Sequence, residues 1–417
     1  MIQTMWRATM RHTGGVGNAS QIVLQLDGLL DEEAFQMSVQ TFASAFPILN
    51  GGEARFGSLL PFWRMPRNRS VPSIRVEVHR VNADVVFQTL EDLVNTPFRS
   101  KREYVVFHLV YSADNECLLS LVFDHRLLDA RGAEQFLLLL SKMIAGTIAL
   151  EDIDAMPEAS RPHIGEQIRE GFASARCVGE TVHKSVIGSG MIRLDESDRS
   201  KKNRGRFLLH TLSEEETKVW MNRVDRDAGY LMFMPYALAA ASTAFGKIGS
   251  LKNRSGSFII PSTTDLRPQG LSWKNTFFNY CSIFFFKVDS AVVANRAELI
   301  DLFKSQFFSQ TKSGFPRKFE RFMALMRFLP LPLFEWMNSW NHASFSFGSV
   351  GRSLFEGETF GGLEIKNLYH MPLIPPQVGL GFFFSQINGR LSMGISWRDG
   401  VLGNDDIEAV ENAFLGF

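Results

Sequence analysis

Cysteine is scarce in this sequence of 417 residues, which contains three: Cys117, Cys177 and Cys281. They form no CxxC pair and no cluster with histidine along the chain. The sequence therefore predicts neither a disulfide framework nor a zinc site. Cysteine use of this kind is typical of a reducing compartment, so we expect a cytoplasmic location.

The sequence also lacks an excess of charge of one sign and has no long apolar run. Lysine plus arginine and aspartate plus glutamate number 44 each, so the net charge gives no reason to expect a nucleic-acid partner. No stretch approaches the roughly 18 consecutive apolar residues of a transmembrane helix. The opening MIQTMWRATMRHTGG lacks the apolar core of a signal peptide. We expect no membrane-spanning segment, and we expect a monomer.

Phenylalanine, in contrast, is abundant, with 37 residues. This number suits either thick hydrophobic cores or an apolar tunnel, and composition does not distinguish them. A chain of this length exceeds one ordinary core, so two domains are expected.

The first half reads as strands and helices in alternation. Ile22, Leu24 and Leu26 alternate as in a half-buried strand, and a helix follows that Asp31 can cap and Pro47 ends. YVVFHLVYS and CLLSLVF read as two strands joined by a turn. The second is so apolar that we expect it inside a sheet buried on both faces. GAEQFLLLLSKMIAG then predicts a buried helix.

A change of composition divides the chain. Residues 150–205 are richer in charged and turn-forming residues and contain one predicted helix, roughly 163–175. We therefore predict an N-terminal unit at 1–165, a linker at 166–206 and a C-terminal unit at 207–417. In the last unit, Asn388-Gly389 within INGR predicts a β-hairpin. Strands and helices mix in both halves without strict βαβ alternation, which indicates an α/β fold with mixed sheets.

FDHRLLDARG, residues 123–132, follows the apolar strand and holds His125 and Asp129 four residues apart. Histidine is the natural general base near neutral pH, and the end of a buried strand would hold it rigidly. The spacing alone fits equally a histidine at a strand end followed by Asp129 as the cap of the next helix. On spacing alone, this structural interpretation is favoured.

Three later segments also carry candidate functional residues. TTDLRPQG places Arg267 between a buried strand and a turn stiffened by proline, where it can pair with a buried carboxylate or lie at the surface. Asn279 stands at the entry to a very apolar strand, where turn chemistry is its ordinary role. SFSFGSVGR, residues 344–352, is rich in small residues that suit either a ligand or a bent strand.

Taken in order, these pieces resemble the CoA-dependent acyltransferase superfamily with the chloramphenicol acetyltransferase-like fold. That group includes condensation domains of nonribosomal peptide synthetases, alcohol acyltransferases and polyketide-associated acyltransferases. Its HHxxxDG motif is matched by DHRLLDA, and further segments are matched by LDGLLDEEAF, DLRP, FNY, SFGSVG and the closing ISWRDGVLGNDDIEAVENAF. The resemblance covers almost the whole chain, and several pieces in order are far more specific than HxxxD alone.

The resemblance implies two subdomains arranged in a V, each a mixed sheet flanked by helices, with a channel between them. It implies that His125 takes a proton from a hydroxyl or amine acceptor, which attacks an acyl thioester on CoA or on a phosphopantetheinyl carrier protein. No permanently bound cofactor is implied. Asp129 is expected to form a structural ion pair with Arg267. Asn279, Ser346 and Ser349 are the candidates for binding substrate or stabilising the oxyanion.

Three positions depart from the family pattern. Asp124 replaces the first histidine, Ala130 replaces the motif glycine (with Gly132 two residues later), and Phe278 replaces a glycine before the asparagine. Neighbouring strand residues face opposite ways, so Asp124 is not expected to act as the base. These changes motivate an alternative function, a catalytically inactive member that binds a carrier protein or lipid. A serine hydrolase is disfavoured, because the sequence has no GxSxG motif.

Two further segments have ordinary and functional interpretations. The basic run 199–206 is more consistent with a solvated linker than with a site for a CoA phosphate or an acidic carrier protein. Residues 317–340 combine basic and apolar residues. A core helix broken at Pro330 and Pro332 is favoured there over a segment that lies on a membrane or shapes a lipid tunnel.

Overall fold

The computed structural model describes most of the chain, and the description that follows refers to those residues: 19–56, 59–66, 70–112, 116–153, 164–186, 190–194, 204–251, 254–268, 272–330, 332–333, 343–375 and 378–417. The basic run at 199–203 and the apolar segment at 334–340 lie outside them. Among the described helices, none has the length and apolar character needed to cross a membrane.

The strands form two six-stranded sheets and one hairpin. In chain order they are β1 (Ala19–Leu26), β2 (Gly52–Phe56), β3 (Leu59–Arg64), β4 (Arg75–Val81), β5 (Val105–Ser112), β6 (Cys117–Asp124), β7 (Gly205–Thr211), β8 (Ser257–Asp265), β9 (Cys281–Asp289), β10 (Ser346–Arg352), β11 (Thr359–Phe360), β12 (Leu363–Pro372), β13 (Leu380–Ile387) and β14 (Arg390–Arg398). The first sheet has the order β11-β12-β1-β6-β5-β4, and the second has the order β7-β14-β13-β10-β8-β9, while β2 pairs with β3.

The described helices are α1 (Glu32–Ser44), α2 (Val86–Val94), α3 (Ala130–Ile144), α4 (Ile164–Val186), α5 (Glu214–Asp227), α6 (Phe233–Phe245), α7 (Arg296–Lys312), α8 (Phe315–Met326) and α9 (Asn404–Leu415). Short 3₁₀ turns include Trp273–Asn275, just before Asn279. Asp31 caps α1 as predicted, since its side chain accepts a hydrogen bond from the Ala34 N–H. Both sheets are mixed, because β4 and β5 in the first and β8, β10 and β13 in the second run parallel.

Strand β6 delivers the histidine segment and is the most enclosed strand of the first sheet. All eight of its residues are buried, as its apolar sequence predicts. One face packs with Phe42, Phe136 and their neighbours from α1 and α3. The other face packs with Leu90 and Val94 of α2. The end of β6 is therefore a rigid position for a functional side chain.

The predicted C-terminal unit 207–417 contributes strands to both sheets. Strand β12 pairs antiparallel with β1, so residues of β11 and β12 complete the first sheet. The chain then returns to the second sheet through the hairpin of β13 and β14. Asn388 and Gly389 form its turn with φ values of 48° and 72°, and this hairpin is confirmed.

The predicted linker 166–206 contains most of a long helix. Helix α4 extends to Val186, well beyond the predicted 163–175, and packs against α8. Val178 is buried there with Phe315 and Phe319. This part of the linker is an element of the packed second half, because its apolar stripe has a hydrophobic partner that lies far along the chain.

Candidate active site

His125 is the first residue after β6 and begins the turn that leads to α3. Its ring meets the Phe123 ring edge to face, with centroids 5.4 Å apart. Its carbonyl oxygen accepts a hydrogen bond of 2.6 Å from Asn279 Nδ2. The side chain is partly buried. The sheet, an aromatic neighbour and an amide from the other half of the chain thus fix the position of this residue.

Burial favours the neutral form of the His125 imidazole. Burial lowers the pKa of His125 below its ordinary value. The charges of Asp129 and Asp124, and hydrogen bonds to the Leu128 backbone and the Asn279 side chain, oppose this effect without cancelling it. A neutral imidazole can accept a proton, so this residue has the protonation state that a general base needs.

Asp129, four residues after His125, is the centre of a hydrogen-bond network, called here the Asp129 hub, with Arg267, Gly132 and Tyr280. Its carboxylate receives two bonds from Arg267, Nη1 to Oδ2 at 3.0 Å and Nη2 to Oδ1 at 2.7 Å. It also accepts from the Gly132 N–H at 2.8 Å and from the Tyr280 N–H at 2.9 Å. The predicted ion pair with Arg267 is therefore confirmed. The structural interpretation of Asp129 as the cap of α3 is correct as well, because one carboxylate serves both contacts.

The start of α3 lies so close to Thr276 and Arg267 that Gly132, two residues after the position of the family's motif glycine, cannot carry a side chain. A Cβ at Gly132 would lie 2.2 Å from the carbonyl oxygen of Thr276 and 3.2 Å from Arg267 Nη2. Position 132 therefore requires glycine, while Ala130 is simply the first residue of α3. The change at Ala130 leaves the hub around Asp129 complete.

Asp124 does not compete with His125. Its buried carboxylate binds Arg126, with Nη2 to Oδ2 at 2.7 Å, and also accepts from the Arg126 backbone N–H. The Arg126 guanidinium in turn lies over the Tyr104 ring, 5.0 Å from its centroid. This residue is part of a separate ion pair, in agreement with the prediction that it is not the base.

Phe278 adopts a left-handed backbone conformation that is rare for a bulky residue, with φ of 70°. Its N–H donates to the Leu127 carbonyl at 2.6 Å, and its ring meets Trp63 edge to face at 5.7 Å between centroids. Such a conformation persists where the surroundings enforce it. Here the chain contact and the aromatic contact together place Asn279 next to His125.

A cavity of about 170 Å³ opens beside His125 and is bounded by both sheets. The first sheet contributes Phe123 and His370, and the second contributes Thr263, Ser349 and Phe383. The structure thus brings Ser349 to the cavity wall. Ser346 does not line this cavity, and its hydroxyl instead donates a long bond of 3.5 Å to the Leu380 carbonyl.

Asn279 has a different place from the one predicted for a substrate-binding residue. It does not line the cavity and instead anchors the His125 backbone.

Cys281 does line the cavity, but burial raises the pKa of its thiol to about 12, so it is a protonated thiol rather than a nucleophile.

A buried polar network on the cavity wall escaped prediction from the sequence. His370 Nε2 lies 3.0 Å from Glu134 Oε1, and Arg131 Nη1 lies 2.6 Å from Glu134 Oε2. Arg131 also donates to the carbonyls of Val350 and Arg352 on β10, which ties α3 to the second sheet. The available signal was a glutamate inside an apolar helix, since a buried charge requires a partner.

The ionisation of Glu134 depends on this network. Burial by itself raises the pKa of Glu134, but the hydrogen bond from His370 and the charge of Arg131 outweigh burial and leave the pKa below its ordinary value.

Within the described part of the chain, one group of histidine and glutamate side chains, Glu77, His79 and His108, has metal-ligand spacing. It lies on β4 and β5, outside this cavity.

Solved structures with the same fold include condensation domains and an acetyltransferase. The first condensation domain of the calcium-dependent antibiotic synthetase, in complex with a substrate analogue, aligns with a TM-score of 0.71 at 11% identity, over 99% of this chain and 92% of that one. The condensation domain of the monacolin K polyketide synthase aligns with a TM-score of 0.65 at 12% identity, over 99% and 94%. Trichothecene 15-O-acetyltransferase from Fusarium sporotrichioides aligns with 0.64 at 12% identity, over 99% and 94%.

No family sequence model and no curated protein matches the chain. At these identities the structural likeness defines the fold, which is the two-subdomain fold of condensation domains and related acyltransferases. The fold class predicted from the sequence is therefore confirmed.

Proposed function

We propose that this protein transfers an acyl group from a thioester, carried on CoA or on a phosphopantetheinyl carrier protein, to a hydroxyl or amine acceptor. The observation that carries the proposal is His125 itself. It is a rigidly held imidazole just after a buried strand, beside a cavity that both sheets line, and burial lowers its pKa and so favours the neutral form. The solved structures of the same fold include condensation domains and an O-acetyltransferase, which supports acyl transfer as the general reaction.

His125 acts as the general base in this mechanism. The imidazole removes the proton from the acceptor hydroxyl or amine as its oxygen or nitrogen bonds to the thioester carbonyl carbon. The tetrahedral intermediate then expels the thiolate by breaking the C–S bond, and the imidazolium returns its proton to the sulfur. The enzyme is left unchanged, with an ester or amide and a free thiol as products. No acyl-enzyme is formed.

Residues of the cavity wall are the candidates to stabilise the oxyanion and to exclude water. Ser349 lines the cavity from β10 and is the candidate to donate a hydrogen bond to the developing oxyanion. Phe123, Phe383 and Met371 give the cavity an apolar lining that excludes water from the thioester. Holding donor and acceptor together beside one base provides much of the rate enhancement.

The test is mass spectrometry of the purified protein with a panel of acyl-CoAs and acyl-carrier proteins, each with and without a mixture of alcohol and amine acceptors. The proposal predicts release of free CoA or holo-carrier that depends on the acceptor, together with an acylated product. The same panel separates the two donor types. Thiol release that is equal with and without every acceptor would mean simple thioester hydrolysis and would contradict transfer.

A second candidate function, binding of a carrier protein or lipid without catalysis, is motivated by the departures from the family pattern at Asp124, Ala130 and Phe278. In that case the protein binds acyl-carrier protein with measurable affinity, and the panel yields no thiol release with any acceptor.

A further inference from the structure

We propose that Glu77, His79 and His108 form a binding site for a divalent metal ion of the zinc class, which fastens the edge strand β4 to β5. The site lies away from the acyl-transfer cavity and is independent of the proposed function. It also revises the expectation drawn from the cysteines, because the ligands are histidine nitrogens and a carboxylate.

The two strands place the three side chains together. Glu77 of β4 is the direct neighbour of His108 on β5 in the parallel pair. His79 lies two residues beyond Glu77, so its side chain is on the same face of the sheet. Ligands carried on paired strands are held by the backbone hydrogen bonds of the sheet, which suits a preformed site.

The spacing of the ligand atoms matches that of a small tetrahedral ion. His79 Nε2 lies 3.1 Å from His108 Nδ1, and His108 Nδ1 lies 3.4 Å from Glu77 Oε2. An ion with bonds of about 2.1 Å holds neighbouring ligand atoms roughly 3.4 Å apart. All three atoms lie within 4.8 Å of one another, so a small side-chain rotation closes the remaining pair.

The groups around the cluster leave the ligand atoms facing one another. Arg75 and Arg99 both bind Oε1 of Glu77, which leaves Oε2 directed at His108. A carboxylate ligand whose other oxygen is hydrogen-bonded in this way is a common feature of metal sites. Arg75 is itself neutralised by two bonds to Glu103.

The two imidazoles can bind this ion as neutral rings, without releasing a proton to solvent. In the absence of metal, one of the two facing nitrogens carries the hydrogen of the His–His bond. On binding, that proton moves to the other nitrogen of the same ring, and both facing nitrogens donate a lone pair. Two nitrogens and one oxygen favour Zn²⁺, Co²⁺ or Ni²⁺ over Mg²⁺ and Ca²⁺.

The experiment uses the untagged full-length protein, freed of metal with a chelator and titrated with Zn²⁺ by calorimetry, with Mg²⁺ as the comparison ion. Co²⁺ serves as a spectroscopic probe, because tetrahedral cobalt gives intense visible bands. We expect one equivalent of Zn²⁺ to bind. His79→Ala and Glu77→Gln should each weaken binding at least about tenfold. His108 is buried, so the more accessible His79 is the primary variant.

His210→Ala is the matched control, since His210 of β7 lies 3.1 Å from Glu411 of α9 and belongs to no metal-ligand group among the described residues. It should bind Zn²⁺ like the wild type. Hydrogen exchange should show slower exchange of β4 amides when Zn²⁺ is bound. No uptake of Zn²⁺ by the wild type, or equal uptake by His79→Ala, would overturn the site. Uptake without slower exchange in β4 would overturn its role in fastening the strand.

Discussion

Asp129 and Arg267 lie 138 residues apart and meet in a two-point ion pair at the foot of the His125 turn. The pair joins the start of α3 to the segment that follows β8, so it links the two halves of the chain beside the cavity. Both side chains are almost fully buried, with 6% and 7% of their surface exposed. The same carboxylate fixes the start of α3 and the backbone of Tyr280, next to Asn279.

Removing either partner should strongly destabilise the fold. Arg267→Met leaves the Asp129 carboxylate buried with two backbone donors. Asp129→Ala leaves the arginine with its bond to the more exposed Asp265, at 3.1 Å, and also removes the cap of α3. We expect a loss in the free energy of unfolding of about 3–5 kcal/mol when one partner of such a buried pair is removed. The loss should be roughly 1 kcal/mol larger for Asp129→Ala because of the cap.

Urea denaturation checks this, with Arg176→Met as the control. Arg176 is 89% exposed in its pair with Glu180, so its loss should change stability by less than about 1 kcal/mol. A stability of Arg267→Met equal to that of this control would show that the buried pair has no structural role.

Asn279→Ala should lower kcat with little change in KM. The substitution removes the bond from Asn279 Nδ2 to the His125 carbonyl, so the imidazole is no longer fixed against the thioester. Since misplacement of a catalytic group by about 1 Å can cost as much as 100-fold, we expect a loss of at least about tenfold. Asn50→Ala, at a residue bonded to Ser70 and outside the cavity wall, is the matched control and should retain full activity.

A KM effect alone in Asn279→Ala would instead assign Asn279 to substrate binding, as the sequence first suggested. The measurement is steady-state kinetics with whichever donor and acceptor the panel identifies.

The pH dependence of kcat/KM should have an acidic limb below pH 6.5. Because burial lowers the pKa of His125, its protonation is unfavourable in the folded protein, and the active neutral form persists to a lower pH than in an exposed histidine. The hydrogen bond to Asn279 raises this pKa, so Asn279→Ala should move the limb to still lower pH. A limb at or above pH 6.5 in the wild type would mean that a different group titrates.

Phe278 and Leu231 share a left-handed backbone, with φ of 70° and 63°, and Phe278 packs against the Trp63 ring. Leu231 is 75% exposed, so Leu231→Gly should relieve strain of about 1 kcal/mol while losing little packing. Phe278→Gly relieves similar strain but loses the contact with Trp63, and we expect a net destabilisation of about 1–3 kcal/mol. Thermal denaturation compares them. Equal stabilisation by both would show that the Trp63 contact does not hold Phe278.

Local patterns in the sequence predicted the elements that depend on neighbouring residues. The cap at Asp31, the buried strand β6 and the Asn388-Gly389 hairpin follow from capping, hydrophobicity and turn chemistry, and each is present. The pair of Asp129 and Arg267 was predicted through the resemblance of DLRP and DHRLLDA to a known family, since no spacing along the chain links residues so distant.

Long-range partners account for what the sequence did not predict. The pairing of β12 with β1 joins segments about 340 residues apart, and nothing local to β12 distinguishes it from a strand of the second sheet. The contact of His370 with Glu134 arises only from that pairing. Ser346 and Ser349 both lie on β10, and only the register and bend of the strand decide that Ser349 reaches the cavity.

The central claim is that His125 is the general base, and the most direct measurement is the acyl-transfer rate of His125→Ala beside the wild type. Both proteins are first matched by circular dichroism and melting temperature. A general base contributes about 10²–10⁴-fold, so we predict a loss of that size in kcat with the fold intact. Turnover by the folded variant at the wild-type rate would contradict the mechanism.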